Sequence, residues 1–196
     1  INNKGIEMKT RIGVDVDGVL RDFSTGVYNV INKHYPEYIK NGINSKQEMT
    51  DWDLENSFNA SREEIHRIYR EEHAETILAN GAPIVENVDY LREQIREDKH
   101  TFVAITSQHP ICCHHTLTWL GKHDLGFSSV VFKKGRRKWE EDVDYLIDDS
   151  PNNHEAWVYG RQMPDGFLLM DQPWNQKVES DYRVKNIKEA IELINE

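Results

Sequence analysis

The chain has 196 residues, of which 38% are hydrophobic and 30% charged, and it carries a formal net charge of −10. That length supports one substantial core with a small inserted subdomain, while the negative balance excludes a protein that coats nucleic-acid backbone, a task that needs clustered Lys and Arg. No run approaches the roughly 18 apolar residues of a membrane span, and Ile1-Asn2-Asn3-Lys4-Gly5 has no signal-peptide apolar core, so the expected location is cytoplasmic. The two cysteines, Cys112 and Cys113, are adjacent and cannot form an ordinary structural disulfide, in keeping with a reducing compartment. Met8 is expected as the natural start, residues 1–7 being foreign to it.

In chain order, the first expected strand, Arg11 to Asp15, runs out into Asp15-Val16-Asp17-Gly18-Val19-Leu20. Two carboxylates two residues apart at the end of a buried strand are unfavourable unless something cationic sits between them. The segment therefore reads as a metal and phosphate site as well as an Asp-Gly turn. A helix carrying Phe23, Val27, Val30 and Ile31 follows and stops near Pro36; then comes the polar stretch Met49-Thr50-Asp51-Trp52-Asp53-Leu54. The capping box Ser61-Arg62-Glu63-Glu64 opens a second helix, which Asn80-Gly81 ends.

Beyond it, Val88, Leu91 and Ile95 share a helix face, Thr101 to Thr106 reads as a strand, and Pro110 opens a helix bearing Leu117 and Leu120. Ser129 to Phe132, Tyr145 to Asp148 and Phe167 to Met170 are further short apolar runs, and like the first two they read as strands buried on both faces. Val184, Ile187, Ile191 and Ile194 mark a last amphipathic helix.

Strands alternating with helices predict a parallel sheet with right-handed crossovers, whose ligands bind at the carboxyl ends of the strands. Asp15, Thr106 and Asp148 all stand at such ends and are expected to converge on one rim. The mostly helical stretch 24–82 breaks the alternation and is expected as a cap above that rim, inserted into a core formed by residues 8–23 and 83–196. Cys112-Cys113-His114-His115 lacks zinc-site spacing. His66 and His73, seven apart, suit a solvated helix face. No G-x-x-x-x-G-K phosphate loop is present.

Four features occur in order: Asp15-x-Asp17, Thr106-Ser107, a lysine near 138, and Asp148-Asp149. In this the chain resembles the haloacid dehalogenase (HAD) superfamily of phosphatases. Within it the chain is most similar to the 5'(3')-deoxyribonucleotidase family, including bacterial and phage members. The similarity rests on Asp15-Val-Asp-Gly-Val-Leu-Arg-Asp-Phe23, Ala104-Ile-Thr-Ser107, Lys138 ten residues before Asp148, Leu146-Ile-Asp-Asp149, and Asp171-Gln-Pro-Trp-Asn175. It implies an α/β fold: a HAD-like Rossmannoid parallel sheet sandwiched by helices, with a small helical cap after the first strand.

The resemblance also implies roles. Asp15 would attack phosphorus and form an aspartyl-phosphate, and Asp17 would protonate the leaving group and later activate water, besides binding substrate. Mg2+ would be held by Asp15, Asp148 and the main-chain carbonyl of Asp17. Thr106, Ser107 and Lys138 would bind the phosphoryl group, with Lys133 and Lys134 as alternatives to Lys138. Asp149 would lie behind them, orienting Lys138 or a metal-bound water. Phe23 and Trp52 would line the nucleoside pocket, Trp174 would close it, and Arg161 and Arg183 are lesser candidates for phosphate.

The expected substrate is a small phosphomonoester, a nucleoside monophosphate first, without a membrane or a stable nucleic-acid partner; a homodimer stays open. Two alternatives stand beside this: a HAD phosphatase acting on another small phosphometabolite or a nucleic-acid end, and a non-catalytic, Mg2+-binding phosphate-sensing module.

Overall fold

The apolar runs pair edge to edge in parallel. The computed structural model describes residues 9–196, so the expected start at Met8 lies outside the described residues. Among them, six strands form one sheet: β1 (Arg11–Val14), β2 (Thr101–Thr106), β3 (Ser129–Phe132), β4 (Tyr145–Asp148), β5 (Phe167–Met170) and β6 (Arg183–Val184), in the spatial order β3-β2-β1-β4-β5-β6. The helices are α1 (Phe23–His34), α2 (Arg62–Arg67), α3 (Val85–Glu97), α4 (Cys113–Lys122), α5 (Pro151–Arg161) and α6 (Ile187–Ile194).

Both faces of the sheet are covered, which is why the strands read as unbroken apolar runs. Ile12, Val14, Phe102, Ala104, Ile147 and Leu168 point to one face and pack with residues of α3, α4 and α6. The alternate positions Val103, Ile105, Leu146, Phe167 and Leu169 point to the other, against Trp157 of α5. Such burial stabilises by roughly 25 cal/mol per Å2 of apolar surface.

Helix α1 and the stretch from it to α3 form a second apolar cluster, in which Val27, Ile31, Met49, Phe58, Ile65, Ile68, Ile77 and Leu78 pack together. The chain leaves β1 and returns to α3 side by side: Asp22 N–H donates to the Ala82 carbonyl at 2.8 Å and Ile84 N–H to the Leu20 carbonyl at 2.7 Å.

Several expectations need correction. Strand β1 ends at Val14, one residue before Asp15. Strand β3 is an edge strand and only partly buried. Val184 belongs to the edge strand β6, not to the last helix, because the Asn186 side chain accepts from Glu189 N–H at 2.9 Å and caps α6 just after it. Helix α5, started by the Ser150 cap with Pro151 at its first position, was not expected. The capping box of Ser61 and Glu64 is formed, but the helix it opens widens into i→i+5 turns at Ile68–Glu72 and Glu75–Ala79, with a break at His73. The wide turns keep Ile68, Ile77 and Leu78 on the buried side.

Candidate active site

Because β2, β1 and β4 are neighbours, their carboxyl ends bring Thr106, Asp15 and Asp148 to one rim. Asp15 N–H donates to the Ile147 carbonyl at 2.9 Å, continuing the β1–β4 pairing by one bond and holding the Asp15 backbone at the sheet end. Its Oδ1 accepts from Val16 N–H at 2.7 Å and lies 2.9 Å from Lys138 Nζ. Lys138, only 1% exposed, reaches the rim from the turn Lys138–Glu140. The same Nζ donates to Asp148 Oδ2 at 2.7 Å.

The two acids of Asp148-Asp149 have different surroundings. Asp148 is fully engaged: Oδ2 also accepts from Asn153 Nδ2 at 3.0 Å, and Oδ1 from Ser150 N–H at 2.8 Å. Asp149 Oδ2 accepts from Trp174 Nε1 at 3.1 Å, whereas its Oδ1 is buried without a partner. Asp149 packs against the turn after β1, where Gly18 has φ of 78° and any Cβ would strike the Asp149 carboxylate. Only glycine takes that backbone and that contact without strain. Thr106 Oγ1 is likewise buried without a partner.

Among the described residues, Asp15, Asp148 and Asp149 are the one group of His, Cys, Asp or Glu side chains that can share a metal ion, with oxygens within 4.8 Å of one another. Cys112, Cys113, His114 and His115 form no such group. Burial pushes Asp15 up to about 7, with Asp148 and Asp17 adding to the rise and Lys138 opposing it. Burial, then Asp148 and Asp15, push Asp149 well above the usual carboxylate range. For Lys138, burial disfavours the charge, but Asp148 and Asp15 outweigh it and hold the ammonium above its ordinary value. One lysine thus faces several buried carboxylates. An orphaned Asp149 oxygen, an excess of negative charge and an oxygen-only donor set fit a hard divalent cation.

Asp17 stands one turn further out. Its Oδ1 accepts from Arg21 Nε at 2.7 Å, and its Oδ2 from Gln108 Nε2. A pocket opens over this rim, lined by Asp15, Asp17, Thr106, Ser107 and Asp149 on its floor. Phe23, Trp52, Tyr69 and Trp174 supply aromatic walls. Phe23 and Tyr69 meet edge to face at 5.3 Å, and Trp52 stays 38% exposed.

The structure thus brings Asp15, Asp17, Phe23, Trp52, Thr106, Ser107, Asp149 and Trp174 into one pocket, with Lys138 and Asp148 beneath. It does not bring the others there. Lys133 is paired with Glu141 at 2.7 Å and Glu140 at 3.0 Å. Arg161 donates to the carbonyls of Trp139 at 2.7 Å and Val143 at 2.5 Å, with its guanidinium 4.2 Å from the centre of the Trp157 ring. Arg183 bonds Asp171 at 2.8 Å and Asn175 at 2.7 Å. Both arginines therefore lock loops of the core and do not reach the pocket. His66 contacts Arg70, and His73 contacts Tyr35. Gln108, Tyr69, Arg70 and Asn153 also line the pocket and were not expected. Gln108 directly follows Thr106-Ser107, which was the available signal; Tyr69 and Arg70 lie in a wide turn that helical periodicity does not predict.

Residues 9–196 match the family described as "5' nucleotidase, deoxy (Pyrimidine), cytosolic type C protein". Among the curated proteins none matches. The fold is shared with solved structures at low identity. CbbY from Rhodobacter sphaeroides in complex with phosphate is 13% identical with a TM-score of 0.55, covering 91% of this chain and 95% of that one. A HAD-superfamily hydrolase of subfamily IA from Geobacter sulfurreducens is 15% identical with a TM-score of 0.56, covering 95% and 96%. The putative HAD-hydrolase YfnB from Bacillus subtilis, bound to magnesium, is 13% identical with a TM-score of 0.55, covering 97% and 100%. The architecture is therefore the HAD-like α/β fold.

Proposed function

The chain belongs to the cytosolic type C 5'-nucleotidase family, and from that premise we propose that it is a Mg2+-dependent nucleotidase that hydrolyses nucleoside monophosphates through an aspartyl-phosphate on Asp15. That it is a phosphoric monoester hydrolase of the HAD type follows from the family itself, and this sets aside the non-catalytic sensing alternative. The observation that carries the finer reading is the buried Asp15–Lys138 contact at 2.9 Å, lying beneath a pocket walled by aromatic side chains.

The Asp15 oxygen not engaged by Lys138 and Val16 N–H is the attacking atom. Lys138 offsets the charge of nucleophile and phosphoryl group. Thr106 Oγ1, buried and unpartnered, supplies a donor for a phosphoryl oxygen, and Ser107 beside it lines the same floor. Asp17 protonates the leaving oxygen and then takes a proton from the water that opens the acyl-phosphate. Phe23, Trp52 and Trp174 enclose the nucleoside.

For the metal we exchange the two expected roles of Asp148 and Asp149. Asp148 spends both oxygens on Lys138, Asn153 and Ser150 N–H, so it anchors the lysine. Asp149, with its orphaned Oδ1, would hold Mg2+ together with Asp15 and the Asp17 carbonyl. When bound, Mg2+ neutralises charge between nucleophile and phosphate. Phosphate release from a panel of nucleoside monophosphates and sugar phosphates, with Mg2+ and with a chelator, tests the reading. Mg2+-dependent release favouring nucleotides is expected. Release from sugar phosphates alone would overturn the nucleotidase assignment while leaving the phosphatase.

A further inference from the structure

Arg21 is fully buried, at 0% exposure. A guanidinium is expensive to bury unless its N–H groups are paired, and here the partners come from three parts of the chain. Nε and Nη2 each lie 2.7 Å from Asp17 Oδ1. Nη1 donates to the Leu78 carbonyl, in the last turns before the chain returns to the core, at 2.5 Å. Nη2 also approaches Thr116 Oγ1 of α4 at 3.3 Å, and the guanidinium carbon sits 5.5 Å from the centre of the Trp119 ring.

The space is made for it. A Cβ at Gly81 would lie 3.0 Å from Arg21 Cδ and would strike the Ile77 carbonyl. Trp119 Nε1 holds the Gly81 carbonyl at 2.7 Å, fixing that wall. Arg21 itself lies where the chain crosses between the two apolar clusters, with its backbone bridged to Pro83. A rigid fork seated this way sets the rotamer of whatever it grips.

The geometry points to Arg21 as a positioning residue for Asp17, an inference that rests on the reading of Asp17 as the proton-transfer group. Arg21 holds Oδ1, so the oxygen left to face the pocket is Oδ2, which accepts from the pocket-lining Gln108 Nε2. As the Asp15–phosphorus bond forms and the phosphorus–oxygen ester bond breaks, Asp17 delivers a proton through Oδ2 to the leaving oxygen. The nucleoside departs as a neutral alcohol, and Asp17 remains a carboxylate against the Arg21 cation. Because the Leu78 carbonyl holds the other side of the same guanidinium, the seating of the 24–82 stretch and the aim of Asp17 depend on one side chain.

Two esters separate this role from a merely structural one. Deoxythymidine 5'-monophosphate leaves as a poor alkoxide that needs the proton, whereas p-nitrophenyl phosphate leaves as a stable phenolate that does not. Because opening of the acyl-phosphate is common to both esters, the comparison is made on kcat/KM, which reports only the transfer to Asp15 and departure of the leaving group. Positioned general acids contribute about 10²–10⁴-fold, so Arg21→Gln and Arg21→Lys are each expected to lower kcat/KM on the nucleotide by about 30-fold or more. The fall in kcat/KM on p-nitrophenyl phosphate should stay below about threefold, and inhibition by inorganic phosphate should be little changed. An equal fall in kcat/KM on both esters, a matching loss of phosphate inhibition, or no loss would overturn the inference. Failure of both variants to fold, with Asp17→Asn folding normally, would assign Arg21 to the fold alone and overturn it as well. A wild-type protein that releases phosphate from neither ester would overturn the reading of the site on which the inference stands.

Discussion

At the scale of single residues, the site is defined by a charge imbalance. Asp15, Asp148 and Asp149 gather around Lys138, and burial drives Asp15 up to about 7 from 3.8. Without metal, between pH 3.8 and about 7, burial keeps on Asp15 of the folded protein a proton that the unfolded chain has released. The stability this confers is full below pH 3.8 and is lost as pH rises through about 7. At about 1.4 kcal/mol per tenfold change in protonation, the swing is at most about 4 kcal/mol. Asp15→Asn removes it. In chelator, that variant is expected to melt at a higher temperature than wild type at pH 8 and to show a shallower fall in Tm between pH 5 and 8. A steeper fall in the variant would contradict the account. Asp148 and Asp149 stand at the end of the same strand, and the resemblance put the metal on Asp148 with Asp149 behind it. Only the contacts of Lys138 and Trp174 separate them.

At the scale of elements, short apolar runs carried their own signal. Strands β2, β4 and β5 lie where hydrophobicity located them, since a strand buried on both faces needs nearly every residue apolar; β3 also lies where its apolar run located it, although it is only partly buried. What remained hidden were elements whose apolar content is small or shared. Helix α5 buries Trp157 but otherwise reads as polar. Val184 fits both the period of α6 and the two-residue strand β6, and only the Asn186 cap decides between them. The capping box at Ser61 was legible because it is local chemistry; the wide turns after it were not, because tertiary packing sets them. Ser61→Ala removes an acceptor for Glu64 N–H, which typically costs about 1 kcal/mol. Tm should fall by about 3 °C for a chain of this size, with kcat on nucleotides unchanged. An unchanged Tm would show that the cap adds nothing to the helix.

At the scale of the whole molecule, residues separated by more than a hundred positions meet because β2, β1 and β4 are neighbours in one parallel sheet. The ordered motifs made that convergence legible. The pocket walls were less so: Phe23 and Trp52 were expected there, but Tyr69, Arg70 and Gln108 depend on how the segments pack. With a net charge of −10, the chain needs local cations to hold an anionic substrate, and on the proposed reading these are Lys138 and a metal ion. Among the described residues, no helix is long and apolar enough to cross a membrane.

The central claim is that Asp15 carries the phosphoryl group. Rapid acid quenching of wild type with Mg2+ and a nucleoside monophosphate, followed by mass analysis of the peptide containing Asp15, tests it most directly. The account predicts a phosphoryl group covalently bound to Asp15 during turnover, and neither the adduct nor phosphate release in Asp15→Asn. Steady phosphate release by Asp15→Asn at a rate near that of wild type would contradict it.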